Sequence, residues 1–132
     1  MKFIVNGKPT GKGRPRLSRW GVYTPNKTVA YENLVKFSYL QATDDKLVNC
    51  AIKIEIWAYF EPPKSTSKKK YNELIGQAYT KKPDIDNIGK AILDALNGIA
   101  YEDDNQIAEL VVHKMYDKKA RAVIDIEKIE EV

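Results

Sequence analysis

Between residues 48 and 60 the side chains alternate. Val48, Cys50, Ile52, Ile54, Ile56, Ala58 and Phe60 fall on one side, and Asn49, Lys53, Glu55, Trp57 and Tyr59 on the other. A period of two is that of a strand with one face on a core, and Pro62-Pro63 stops it. Residues 2–6 predict a short strand, and residues 106–116 and 121–129 predict two more, joined by a turn around Asp117-Lys118-Lys119. Three segments follow the helical period instead. Residues 26–42 predict a helix with Ala30, Leu34, Phe37 and Gln41 or Leu40 facing inward. Residues 67–78 predict a second, opened by Ser65, Thr66 or Ser67, with Tyr71, Leu74, Ile75 and Ala78 inward. Residues 85–97 predict a third, buried through Ile85, Ile88, Ile92 and Ala95 or Leu96, capped by Asp84 or Asp86 and stopped at Asn97-Gly98. Residues 7–25 hold four Gly and three Pro and read as a loop or irregular hairpin. The expected fold class is α+β: a mostly antiparallel sheet packed by helices on one side, in a single small domain spanning residues 1–132.

Composition agrees with a folded chain. The 132 residues are 43% hydrophobic and 30% charged, which suits one core and leaves little room for a second. Cys50 is the single cysteine, so it has no intrachain disulfide partner and is expected to pack as a small hydrophobe. No stretch is long and apolar enough to span a membrane. The apolar start, Met1 to Val5, is too short for the core of a signal peptide, so the expected location is cytoplasmic.

Charge changes the picture more. The formal net charge is +4, and it is segregated. Lys2, Lys8, Lys12, Arg14, Arg16, Arg19 and Lys27 all precede the first acidic residue, Glu32. Lys64, Lys68, Lys69 and Lys70 form a second cluster, and Lys81 and Lys82 abut an acidic motif, Pro83-Asp84-Ile85-Asp86-Asn87. In the third helix Asp86, Lys90 and Asp94 recur every four residues and share a face. Asp84 lies just before it, and Asp103-Asp104 follows it. Carboxylates in this pattern suit a hard divalent cation, which could take a phosphate oxygen and an attacking water in its open positions. Lys90 is then placed to stabilise charge on a phosphate in transition. The plain alternative is helix caps and i,i+4 surface pairs.

At these residues a family resemblance becomes specific. Lys82-Pro83-Asp84-Ile85-Asp86-Asn87, then Lys90, then Leu93-Asp94-Ala95-Leu96-Asn97-Gly98, then Asp103-Asp104-Asn105-Gln106-Ile107, resembles the signature of the RusA family of Holliday-junction resolvases. Gly7-Lys8-Pro9, Lys12-Gly13-Arg14-Pro15-Arg16, Tyr23-Thr24-Pro25 and Ala30-Tyr31-Glu32 resemble that family's opening segment, and Ser67-Lys68-Lys69-Lys70 its basic stretch. The resemblance implies a homodimeric, Mg²⁺-dependent endonuclease (Mn²⁺ able to substitute) that resolves four-way branched DNA by paired symmetric nicks in recombination and repair. It implies Asp84, Asp86 and Asp104 as metal ligands, Lys90 as catalytic lysine, and Asp94 and Asp103 as supporting residues. Two opposed cuts across a two-fold junction also fit two sites related by a two-fold axis.

The basic residues Lys12, Arg14, Arg16, Arg19, Lys68, Lys69, Lys70, Lys81 and Lys82 are the expected DNA contacts. The 7–25 loop, flexible and without acidic partners nearby, is expected to follow phosphates. Trp20 and Tyr23 have the chemistry to stack on unpaired bases, but a core position is the ordinary use of such residues and is the expectation here. His113, alone in mid-strand, is expected to be structural. Two other functions fit the same residues: a non-catalytic branched-DNA-binding protein, or a nuclease acting on flaps or forks.

Overall fold

The computed structural model describes residues 1–130. Ten segments follow in order: β1 (Lys2–Asn6), β2 (Arg16–Ser18), β3 (Gly21–Tyr23), α1 (Asn26–Ala42), β4 (Ile52–Phe60), α2 (Lys68–Leu74), α3 (Ile85–Leu96), a 3-10 turn (Asp104–Gln106), β5 (Ile107–Tyr116) and β6 (Arg121–Lys128). Four strands make the main sheet in the order β1-β6-β4-β5, and β2 and β3 pair separately. The β1–β6 and β6–β4 pairings are antiparallel, while β4–β5 is parallel. The α+β class therefore stands, with a mixed sheet.

The parallel pair follows from the chain's route. A parallel neighbour needs a long crossover, and the segment carrying α2 and α3 supplies it between β4 and β5. The short turn after β5 then leads past the end of β4 rather than folding a hairpin. The Asp117 amide donates to the Phe60 carbonyl at 2.9 Å, and β6 takes its place on the far side of β4.

β4 is the central apolar strand. Ile52, Ile54, Ile56, Ala58 and Phe60 are buried, meeting Ile124 and Ile126 of β6 and Ile88, Ala91, Ile92, Ala95 and Leu96 of α3 in one core. The strand begins four residues later than its alternation suggests, because Asn49 has φ +54°. Residues before that left-handed position cannot continue an extended strand. Val48 is consequently exposed, and Leu47 bridges to Tyr101 instead. Cys50 is free and half-buried against the core, as expected.

α1 has the predicted bounds but the opposite face. Thr28, Tyr31, Val35 and Tyr39 are buried, while Ala30, Leu34, Phe37, Leu40 and Gln41 are exposed, Phe37 by 61%. Apolar residues ring this helix, so periodicity does not pick a face. The tyrosines prevail inward: the Tyr39 hydroxyl donates to the Asp45 carbonyl, and its ring meets Phe3 edge-on at 5.4 Å. α2 is shorter than predicted. Ser67 caps it by accepting from the Lys70 amide at 3.2 Å, none of its residues is buried, and Gly76 at φ +89° turns the chain away. Residues 77–79 then run along β5, Tyr79 donating to the Lys114 carbonyl and Tyr116 to that of Gln77. Ala78 is exposed, pairing with Met115 through the backbone rather than facing inward. In α3, Ile85 is likewise exposed at the first turn, and the stripe begins at Ile88.

Among the described residues no helix is long and apolar enough to cross a membrane. The α1 assignment is open to test by urea denaturation. Ile92→Ala in the core should cost about 2–5 kcal/mol, whereas Phe37→Ala should stay within about 0.5 kcal/mol; comparable losses would contradict the orientation of α1.

Candidate active site

Helix α3 organises the acidic residues. Asp84 occupies its N-cap position with extended backbone (φ −66°, ψ 150°), and its carbonyl accepts from the Ile88 amide at 3.1 Å. Its carboxylate makes no capping hydrogen bond. Asp86 lies in the first turn. The positive end of the helix dipole favours both charges there, and neither carboxylate forms an ion pair among the described residues. The expected cap is therefore absent as a side-chain contact, and the Asp84 oxygens are left open.

One and two turns further on come Lys90 and Asp94, with Lys90 Nζ 3.5 Å from Asp94 Oδ2. Asp94 also receives Lys12, whose Nζ lies 3.3 Å from Asp94 Oδ2 and 2.8 Å from Glu32 Oε1. Burial alone would lower the Lys12 pKa; the hydrogen bonds its ammonium donates to Glu32 and Asp94 outweigh it and hold the pKa above the usual lysine value. Lys12 is thus engaged within the chain by two acids, contrary to the expectation of a loop without acidic partners. The loop is also pinned through its backbone. The Lys12 amide donates to the Asn87 carbonyl at 2.8 Å, and the Gly13 amide to Thr28 Oγ1 at 2.9 Å. Gly11 permits this approach: a Cβ there would come within 2.8 Å of Pro83 Cβ and 3.1 Å of Asn87 Cβ.

The remaining acids come from the 3-10 turn. Asp103 Oδ1 accepts from the Asn105 amide at 3.1 Å, and Gln106 Oε1 accepts from the amides of Glu102 and Asp103 at 2.9 and 3.1 Å. This reciprocal capping box fixes the turn that presents Asp104. Gln106 Nε2 also donates to the carbonyls of Leu47 and Cys50. Tyr101 is fully buried beside it, and its hydroxyl donates to the Leu93 carbonyl at 2.7 Å, tying the turn to the end of α3. A hydrogen bond with Asp103 raises the Asp104 pKa, with burial and the charges of Asp103 and Asp94 adding to it and Lys90 opposing.

The fold therefore gathers Lys90, Asp94, Asp103 and Asp104 around the later turns of α3, next to Lys12 and Glu32. Asp84 and Asp86 stand at its start. Among the described residues no three His, Cys, Asp or Glu side chains come together closely enough to hold an ion. Asp86 and Asp94 are eight residues apart, about 12 Å along a helix, and Lys90 lies midway.

A cleft of about 490 Å³ opens onto Asp84. Lys8, Lys12, Arg16, Lys27 and Lys82 line it, so the open carboxylate lies in a basic groove. Arg14, Arg16, Arg19, Lys68, Lys69, Lys70, Lys81 and Lys82 are exposed, with no acidic partner among the described residues. Trp20 and Tyr23 are exposed as well, and so are not core residues. His113 lies across the sheet on its open face, 2.7 Å from Glu55 and stacked on Trp57. Gly11 and Tyr101 were not singled out in the sequence, and Glu32 and Gln106 appeared there only within the family motifs, without these roles. Only Gln106 left a local signal, three residues after Asp103 as a capping box requires.

Residues 6–127 match the family described as endodeoxyribonuclease RusA. The chain is also 31% identical over 137 residues to YqaN of Bacillus subtilis (strain 168), an uncharacterized protein, with 98% of this chain and 96% of that protein covered. A match over nearly the whole chain takes in the loop, α3 and the 3-10 turn together, and on that ground the chain belongs to the RusA family of endodeoxyribonucleases, enzymes that resolve Holliday junctions.

Proposed function

We propose that this protein is a Mg²⁺-dependent endonuclease that resolves four-way DNA junctions by paired symmetric nicks, acting as a homodimer. The observation that carries the reading is Asp84: an exposed carboxylate at a helix N-cap that caps nothing and lines a basic cleft. A carboxylate used only for capping would accept from the first-turn amides.

The side chains in question offer carboxylate oxygens, the donors that suit Mg²⁺ or Mn²⁺. Asp84, Asp86 and Asp104 would hold the ion, with no geometry implied beyond their places on α3 and the 3-10 turn. The bound cation supplies polarisation of the scissile phosphate and a lower pKa for the attacking water. Lys90, with its side chain 63% exposed beside Asp94, offers its ammonium to a phosphate oxygen and stabilises charge there. Asp94 positions Lys90 and is itself held by Lys12. Asp103 positions Asp104 by capping its turn. Arg14, Arg16, Lys81 and Lys82 take neighbouring phosphates, and the unpaired positive charge beside Asp84 draws the backbone in. A dimer of two-fold symmetry provides the second site that paired cuts require.

The test uses a labelled mobile four-way junction with the purified protein. Wild-type protein should nick opposing strands only when Mg²⁺ is present. Asp84→Asn should lower cutting by at least about a thousandfold while keeping junction binding, since losing a carboxylate does not weaken phosphate contacts. Tight binding with no cutting by wild-type protein across several junction sequences would overturn the reading.

The raised pKa of Asp104 sets a pH dependence. Its proton persists to higher pH than on an ordinary carboxyl, so the acid limb of the Mg²⁺ activation profile should lie higher than an unperturbed aspartate would give. Asp103→Asn removes a charge and the pKa-raising contact while keeping a side chain able to cap; the limb should then move to lower pH. Stability runs the other way. Asp104 contributes most below its unfolded pKa, and that contribution is lost as pH rises through its raised folded pKa, so Mg²⁺ should raise Tm less in acid near the ordinary aspartate pKa than at neutral pH. An acid limb unmoved by Asp103→Asn would contradict the role of this pair.

A further inference from the structure

The pair β2–β3 forms an arm with no third strand beside it among the described residues. Every residue from Arg16 to Tyr23 is exposed, and Leu17, Trp20 and Val22 are exposed by 84%, 88% and 66%. An isolated two-stranded hairpin is marginal in water, and large apolar side chains grouped at the tip of an arm mark an interaction site rather than an ordinary surface. The arm is nevertheless built. Arg16 pairs with Tyr23, Leu17 with Val22 and Ser18 with Gly21. Ser18 Oγ accepts from the Trp20 amide and donates to the Gly21 carbonyl, both at 3.1 Å, which fixes the turn that carries Arg19 and Trp20. The Arg19 guanidinium lies 5.4 Å from the Trp20 ring.

The arm's root joins it to the active site. Lys12 and Gly13 are pinned to Asn87 of α3 and Thr28 of α1, and Arg16 lines the same cleft as Asp84. Charge identifies the partner. Arg14, Arg16 and Arg19 have no acidic partner among the described residues, and they flank an aromatic tip. A partner must therefore present negative charge and flat apolar faces within a few ångströms of each other. DNA does so where its helices part: phosphates run beside bases that have lost a stacking neighbour.

We propose that this arm reads the branch point of the junction: Trp20 stacks on a base exposed at the crossover, Arg14, Arg16 and Arg19 hold the flanking phosphates, and the arm sets which phosphate reaches Asp84. This inference rests on the junction reading above. It makes Trp20 a determinant of preference for branched over linear DNA, through stacking that any base can accept.

The experiment measures binding of the full-length protein, without Mg²⁺, to a labelled four-way junction and to a linear duplex of the same arm sequence. A second junction carries 2-aminopurine at the branch point. Trp20→Ala should weaken junction binding about tenfold, leave duplex binding within about twofold, and abolish the 2-aminopurine fluorescence change seen with wild-type protein. Trp20→Phe should keep most of the preference, because a smaller ring still stacks. Circular dichroism checks that each variant is folded. A junction preference that survives Trp20→Ala, or equal losses on junction and duplex, would overturn the role of the arm and leave the junction reading standing. Wild-type protein that binds both DNAs equally would overturn both.

Discussion

The ammonium of Lys12 lies between two carboxylates from different helices, 2.8 Å from Glu32 of α1 and 3.3 Å from Asp94 of α3. Around that contact the other parts of the site find their places. It brings the N-terminal loop onto the start of α3, where Gly11 leaves room for Pro83 and Asn87. It holds Asp94, which in turn faces Lys90 and adds its charge to the hydrogen bond with Asp103 and the partial burial that raise the pKa of Asp104. Without the lysine, Glu32 and Asp94 would lose their shared counter-charge in a half-buried setting, where unpaired charge is costly. Lys12, expected as a DNA contact, also joins the loop to both helices.

The acidic residues are held in two groups, one at each end of the same face of α3. Where two carboxylates meet, at Asp103 and Asp104, their hydrogen bond and like charge raise the Asp104 pKa. Asp84 and Asp86 stay apart at the helix start, where the dipole favours them. On this account a divalent ion does more than polarise a phosphate. On the proposed reading Asp84, Asp86 and Asp104 would hold the ion, its charge would offset their repulsion, and Lys90 would stand between the two groups.

Much of this was legible along the chain, and the parts that were not have identifiable causes. α3 was read almost to the residue because its apolar stripe from Ile88 to Leu96 is unambiguous and Asn97-Gly98 marks its end. The shared face of Asp86, Lys90 and Asp94 followed from the same spacing. β4 was read as a strand, but its start was set by a left-handed Asn49 that alternation does not reveal. α1 was placed correctly and faced wrongly, since Tyr31 and Tyr39 compete with Leu34 and Phe37 for the interior and only packing decides between them. The parallel β4–β5 pair and the placement of β6 beyond β4 depend on the route of the chain, which local pattern does not encode. Lys12 and Glu32 are 20 residues apart, so their pairing was invisible without the fold. The same holds for Trp20, whose exposure distinguishes a tip from a core residue.

The account turns on whether the two acidic groups share one ion. Crystals of the full-length protein grown with Mn²⁺, measured at the manganese absorption edge, would locate it through anomalous scattering. The account predicts a peak within coordination distance of Asp84, Asp86 and Asp104, with the 3-10 turn drawn toward the start of α3. A well-occupied manganese bound only by Asp103 and Asp104, or by residues away from α3, would contradict it.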